Sequence, residues 1–201
     1  GTLDADEIKI DNIIRLNGGG IRNAHIRPGD AGQGVTVLNN TSNLFDGVTL
    51  DADLDLTTRD SVVTVQNDLT LGGTATIGER ARIDFPGSQT LAGTGTVVYS
   101  TTDSFNRQGL RLTTEFSTFT IDSGITIRGG NGFIGYSESW HRGSTTSTII
   151  NRGSIVADVS GRTIRINPVN GSFRNEGTIE ATNGGTLNVD GITGLLGMAS
   201  A

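Results

Sequence analysis

The chain has 201 residues, no cysteine, 30 glycines and a formal net charge of −6. A thiolate metal site and a disulfide framework are therefore excluded, and the scattered arginines, with Lys9 the single lysine, offer no basic stripe for nucleic acid. No run of about 18 apolar residues is present to span a membrane, while short Val- and Ile-containing runs and 18% charged residues point to one all-β domain rather than disorder.

Residues 1–45 are the least regular part. Ile8 to Ile10, Ile13 to Leu16, Ile21 to Ile26 and Val35 to Leu38 read as short strands, broken by Gly18-Gly19-Gly20 and by Pro28 to Gly32. His25 sits in an apolar alternation and reads as a structural histidine. The opening Gly1-Thr2-Leu3-Asp4, without Met, suggests a piece of a longer chain.

From Asp46 the alternation is clean. Val48, Leu50, Ala52, Leu54 and Leu56 point one way, and Thr49, Asp51, Asp53, Asp55 and Thr57 the other. On one strand such carboxylates stand about 7 Å apart. Asp51, Asp53 and Asp55 are thus weak candidate metal ligands, able to hold Ca²⁺ only with oxygens from a neighbouring coil; a solvated outer surface is the simpler reading. No other cofactor is expected. Val62 to Val65, Leu69 to Leu71, Ala75 to Ile77 and Ala81 to Phe85 continue as short strands.

Gly87 to Tyr99 and Ser123 to Tyr136 read as a repeated pair, with Leu91 matching Ile127, Gly93 matching Gly129, Val97 matching Ile134 and Tyr99 matching Tyr136. Each tyrosine precedes a polar stretch, 100–108 or 137–147, that departs from the strand pattern. This match predicts two loops leaving on the same side and lying near each other. Tyr99, Asp103, Phe105 and Arg107, with Tyr136, Glu138, Trp140, His141 and Arg142, are the candidate contact surface. The flat face of Trp140 suits the C–H surface of a sugar ring, although Trp140 and Phe105 also suit lids over core.

The clearest repeat follows. Asn151-Arg-Gly-Ser-Ile-Val-Ala recurs as Asn175-Glu-Gly-Thr-Ile-Glu-Ala, and Gly161-Arg-Thr-Ile-Arg-Ile recurs as Gly184-Gly-Thr-Leu-Asn-Val. A repeat of this length marks a stacked solenoid. It predicts Asn151 over Asn175 as an amide ladder, Ile155 over Ile179 and Ala157 over Ala181. Asn131-Gly132, Asn170-Gly171 and Asn183-Gly184 are good hairpin turns and favour a rival β-sandwich, but the coil-like period outweighs them.

The fold predicted is all-β, a right-handed parallel β-helix with about three short strands per coil of roughly 20–24 residues. Eight or nine coils would make a rod on the order of 40 Å. Residues 1–201 are one domain: 1–45 irregular opening coils, 46–191 regular coils, and 192–201 a C-terminal cap or a link onward.

The Asn-x-Gly-Thr/Ser-Ile-x-Ala and Gly-x-Thr-Ile/Leu-x-Ile/Val pattern, with Thr90-Leu-Ala-Gly-Thr-Gly-Thr-Val97 upstream, resembles the β-helical passenger or stalk regions of large bacterial secreted surface proteins, autotransporters and filamentous-haemagglutinin-like adhesins among them. The resemblance covers roughly residues 46–191. It implies an extracellular, cell-surface segment that is structural and adhesive, with no catalytic motif to carry across. The partners it implies are a host, neighbouring-cell or matrix surface, including glycans, and end-to-end or lateral self-association.

An enzyme is not expected. Glycoside hydrolysis needs close paired carboxylates, and lyase chemistry a base beside a metal or Arg. The sequence shows no Asp-Asp pair and no Gly-His-Gly. A polysaccharide-degrading β-helix, lyase or hydrolase, or its non-catalytic carbohydrate-binding relative, is the alternative.

Overall fold

The computed structural model describes residues 1–100, 107–138, 142–193 and, for the backbone alone, 198–200. Because glycine, Asn or Asp interrupts the alternation every few residues, the strands stay short and the chain turns repeatedly. The first coil is β1 (Thr2–Asp4), β2 (Glu7–Ile10) and β3 (Ile14–Leu16); the second is β4 (Gly20–Arg22), β5 (His25–Pro28) and β6 (Val35–Val37). The third is β7 (Leu44–Leu50) and β8 (Leu54–Leu56), and the fourth β9 (Val62–Leu71) and β10 (Thr74–Ile77). The fifth is β11 (Arg82–Phe85), β12 (Gln89–Gly93) and β13 (Thr96–Tyr99); the sixth is β14 (Gly109–Leu112), β15 (Thr118–Ile121) and β16 (Thr126–Gly129). The seventh is β17 (Gly132–Gly135), β18 (Thr148–Asn151) and β19 (Ser154–Ala157); the eighth is β20 (Thr163–Asn167), β21 (Ser172–Asn175) and β22 (Thr178–Ala181). β23 (Thr186–Val189) and β24 (Met198–Ser200) belong to a ninth.

Each strand pairs in parallel with its counterpart one coil away, which makes the molecule a parallel β-helix with three sides. The first side runs from β1 through β4, the start of β7, the start of β9, β11, β14, β17 and β20 to β23. The second holds β2, β5, the ends of β7 and β9, β12, β15, β18 and β21. The third holds β3, β6, β8, β10, β13, β16, β19, β22 and β24. β7 and β9 pass through the corner between the first two sides without breaking. Left-handed residues make that bend, Gly47 (φ 63°) in one and Asn67 (φ 52°) with Asp68 (φ 66°) in the other.

Inward residues form one continuous core from Ile10 to Ile179. Stacking places Ile155 on Ile179 and Ala157 on Ala181, as the repeat predicts. Asn151 sits on Asn175, and its buried side-chain amide donates to Asn175 Oδ1 at 2.7 Å and to the Thr178 carbonyl at 3.1 Å. The rung on its other side is Ile121, whose side chain offers no donor, and among the described residues Asn151 Oδ1 has no hydrogen-bond partner.

Residues 1–45 hold the first coils, with their strands in register with the rest. β24 adds a third-side strand beside β22. Two other readings are corrected. The Asn-Gly pairs do not close hairpins, because the strands they join lie on different sides of the helix and pair in parallel with other coils. The alternation from Val48 to Leu56 is not one strand either. It crosses a corner at 51–53 between β7 and β8, with Ala52 still buried.

Replacing Asn151 with Ala leaves buried acceptors on Asn175 and Thr178 without their donor. The expected cost is about 1–3 kcal/mol, read as a fall of several degrees in Tm. An unchanged melting curve would show that the amide ladder contributes nothing to stability.

Candidate functional site

The third-side register shows where extra chain enters. Ala75 pairs with Val97, Val97 with Ile127, Ile127 with Ile155 and Ile155 with Ile179. The two widest of these steps contain the insertions. Residues 100–108 lie between β13 and β14, at the corner where the third side passes to the first; residues 136–147 lie between β17 and β18, where the first passes to the second. The predicted match of Leu91 to Ile127 and Val97 to Ile134 is therefore wrong by one side. Leu91 pairs with Ile121, and Ile134 with Leu110 and Ile166. The insertions do not leave on the same side. They border the first side from opposite edges, one coil apart.

Between these edges the outward row Arg82, Gly109, Phe133, Arg165, Asn188 runs beside the row Asp84, Arg111, Gly135, Asn167. Outward residues on a plain stalk meet water. Here Phe133 is 1% exposed and Asp84 5%, yet Phe133 is not part of the inner core cluster. Gly109 makes room for it, since a Cβ at 109 would lie 2.8 Å from the Phe133 ring. Asp84 accepts from Arg111 Nε at 2.8 Å and Nη2 at 2.6 Å, and from Arg82 Nε at 3.1 Å. This bidentate pairing offsets the cost of burying the carboxylate. Burial holds the Arg82 guanidinium below its ordinary value, against the opposing pull of Asp84.

The second insertion folds over the same side. Ser137 and Arg142 exchange backbone hydrogen bonds as an antiparallel bridge. Glu138, at the start of that finger, binds Arg165 Nη1 at 2.6 Å, and Asp190 binds Arg165 Nη2 at 3.0 Å. Burial alone would lower Arg165; the hydrogen bonds from its guanidinium to Asp190 and Glu138 outweigh burial and raise it. The returning chain is pinned to the corner of the sixth coil. Ser144 N–H donates to the Leu112 carbonyl at 2.6 Å. The Glu115 carboxylate accepts from Thr146 Oγ1 at 2.5 Å, Thr145 N at 3.0 Å and Ser144 Oγ at 3.0 Å.

Of the predicted contact residues, Tyr99 is misplaced. It points inward, is 2% exposed, and its hydroxyl donates to the Phe133 carbonyl across the core at 2.9 Å. Burial raises its pKa. Gly132 admits the ring, since a Cβ there would come within 2.5 Å of it. A contact role for Tyr99 is thus replaced by a core role, because β13 presents Val97 and Tyr99 to the inside. Tyr136 is half-buried directly after β17, Glu138 and Arg142 are exposed on the finger, and Arg107 is half-buried where the first insertion rejoins β14. Asp103, Phe105, Trp140 and His141 lie outside the described residues.

The acidic stripe serves the corners. Asp51 binds His25 Nε2 at 2.6 Å, Asp53 accepts from Thr74 N at 2.8 Å, and Asp55 accepts from Thr57 N at 2.8 Å. Each carboxylate has a different local partner, and among the described residues no group of three or more His, Cys, Asp or Glu is arranged to hold a metal ion. Arg82, Asp84, Arg111, Phe133 and Arg165 were not singled out in the sequence. Arg82-x-Asp84 in an otherwise apolar strand was the visible signal, but its partner Arg111 is 27 residues away from Asp84.

No family model, no curated protein and no solved structure matches this chain.

The Glu115 clasp predicts a pH dependence. The Thr146 hydroxyl, then the Thr145 N–H, hold this carboxyl down to about 2 from its ordinary 4.5. The folded value lies below the unfolded one, so the clasp contributes fully above about pH 4.5 and is lost as pH falls through about 2. Thermal melts of Glu115→Gln should show a weaker loss of stability across that window than the parent chain. Identical acid profiles for the two would contradict the clasp.

Proposed function

We propose that this chain is a structural and adhesive segment of an extracellular bacterial surface protein, a rod that presents its first side to a neighbouring surface or glycan. One observation carries the reading. Both long insertions border the same side of an otherwise plain rod, and the outward Phe133 and Asp84 there are withdrawn from water. A stalk that only spaced two ends apart would need neither. The chain resemblance to passenger and stalk regions supports the surface location and the adhesive role.

The segment between Ser137 and Arg142 contains the single tryptophan in the sequence, and Trp140 is the anchor expected for a sugar ring. Trp140→Ala is expected to lower binding to an immobilised glycan or cell surface by about tenfold or more while leaving the far-UV spectrum intact. Absence of parental binding across a broad glycan and cell-surface panel would overturn the proposal. Product release from an acidic polysaccharide would replace it with the degrading-enzyme reading.

A further inference from the structure

A second feature lies at the edge of the third side. At the corner between the third and first sides, a groove of about 270 Å³ runs across the fifth, sixth and seventh coils. Val98, Arg128, Gly129, Asp158, Val159 and Arg162 are among the residues that line it. Its charges do not balance. Asp158 is spent: Oδ2 accepts from Arg128 Nε at 2.8 Å and also from Arg128 Nη2, and Oδ1 accepts from the Gly129 N–H at 3.1 Å. That leaves Arg162. It is half-buried, and among the described residues its side chain has no ion-pair or hydrogen-bond partner.

A guanidinium held in a groove with its neighbouring carboxylate already satisfied leaves one positive charge to be met from outside. The planar fork of Arg is matched to a carboxylate, which it can bind through two parallel N–H groups. Val159, whose carbonyl accepts the Arg162 backbone N–H, is 41% exposed in the same groove, giving an apolar contact next to the charge. A ligand that suits both carries one carboxylate beside a ring with an apolar face. A polyphosphate or nucleic acid suits them poorly, since a single spare charge near Asp158, on a chain of net charge −6, would face many negative groups.

We propose that this groove binds an acidic saccharide, with its carboxylate on Arg162 and the C–H face of the adjoining ring on Val159. The volume is at the low end for small-molecule sites, enough for a short segment of a sugar chain and not for a folded partner. Arg162 and Val159 belong to neither insertion, although the groove adjoins the start of the first at Ser100.

The test is titration calorimetry with a hyaluronan tetrasaccharide, in which carboxylated and neutral rings alternate, against its methyl ester and against inorganic phosphate. The tetrasaccharide should bind the parent chain. Methyl esterification and Arg162→Gln should each weaken binding by about tenfold or more, the loss of a charge-assisted pair, with the melting temperature of the variant unchanged. Trp140→Ala should leave this binding intact, which separates the groove from the first side. Equal binding of the ester, equal binding by Arg162→Gln, or no binding of the tetrasaccharide would overturn the proposal. Competition by phosphate as strong as by the sugar would also overturn it, reducing the groove to a general anion site.

Discussion

Parallel, in-register stacking is the constraint from which the rest of this molecule follows. Successive coils lie about 4.8 Å apart, and each strand satisfies its backbone through the coils on either side. An inward residue therefore sits on its counterpart, as Ile127, Ile155 and Ile179 do. A side cannot absorb an extra residue without turning its inward row outward. Extra chain is forced to the corners, and that is where 100–108 and 136–147 depart. The same constraint makes corner chemistry local: Asp53 and Asp68 accept the Thr74 and Thr90 N–H groups from the next coil.

This explains which parts of the fold were legible. Asn151 and Asn175, Ile155 and Ile179, lie in adjacent coils of nearly equal length, so sequence spacing and spatial register coincide. Between Leu91 and Ile127 they do not. All three sides are built from the same alternation, and a comparison shifted by one side still matches Thr with Thr and apolar with apolar. The insertion at 100–108 hid that shift. Asp51, Asp53 and Asp55 misled for a related reason: inward and outward alternation persists around a corner, so a bent segment reads as a straight strand.

The candidate site was partly legible. Both insertions stood out against the strand pattern, and so did the finger residues Glu138 and Arg142. Tyr99 did not announce its direction, since its inward position follows from the register of β13 on β16 and from the glycines at 129 and 132 that make room around it. Asp84, Arg111 and Phe133 come together only through pairing across coils. The long corner after β17 is held against the first side through Glu138, Arg165 and the Glu115 clasp.

The register itself is open to direct measurement, because the chain has no cysteine and paired labels can be introduced without background. Thr36, Arg128 and Glu180 are outward on the third side, in the second, sixth and eighth coils. Electron–electron distance measurement between spin labels should give about 19 Å from Thr36 to Arg128 and about 29 Å from Thr36 to Glu180, increasing by about 4.8 Å per coil. Distances that fail to grow with coil number would contradict the stacked rod and, with it, the side on which the functional reading rests.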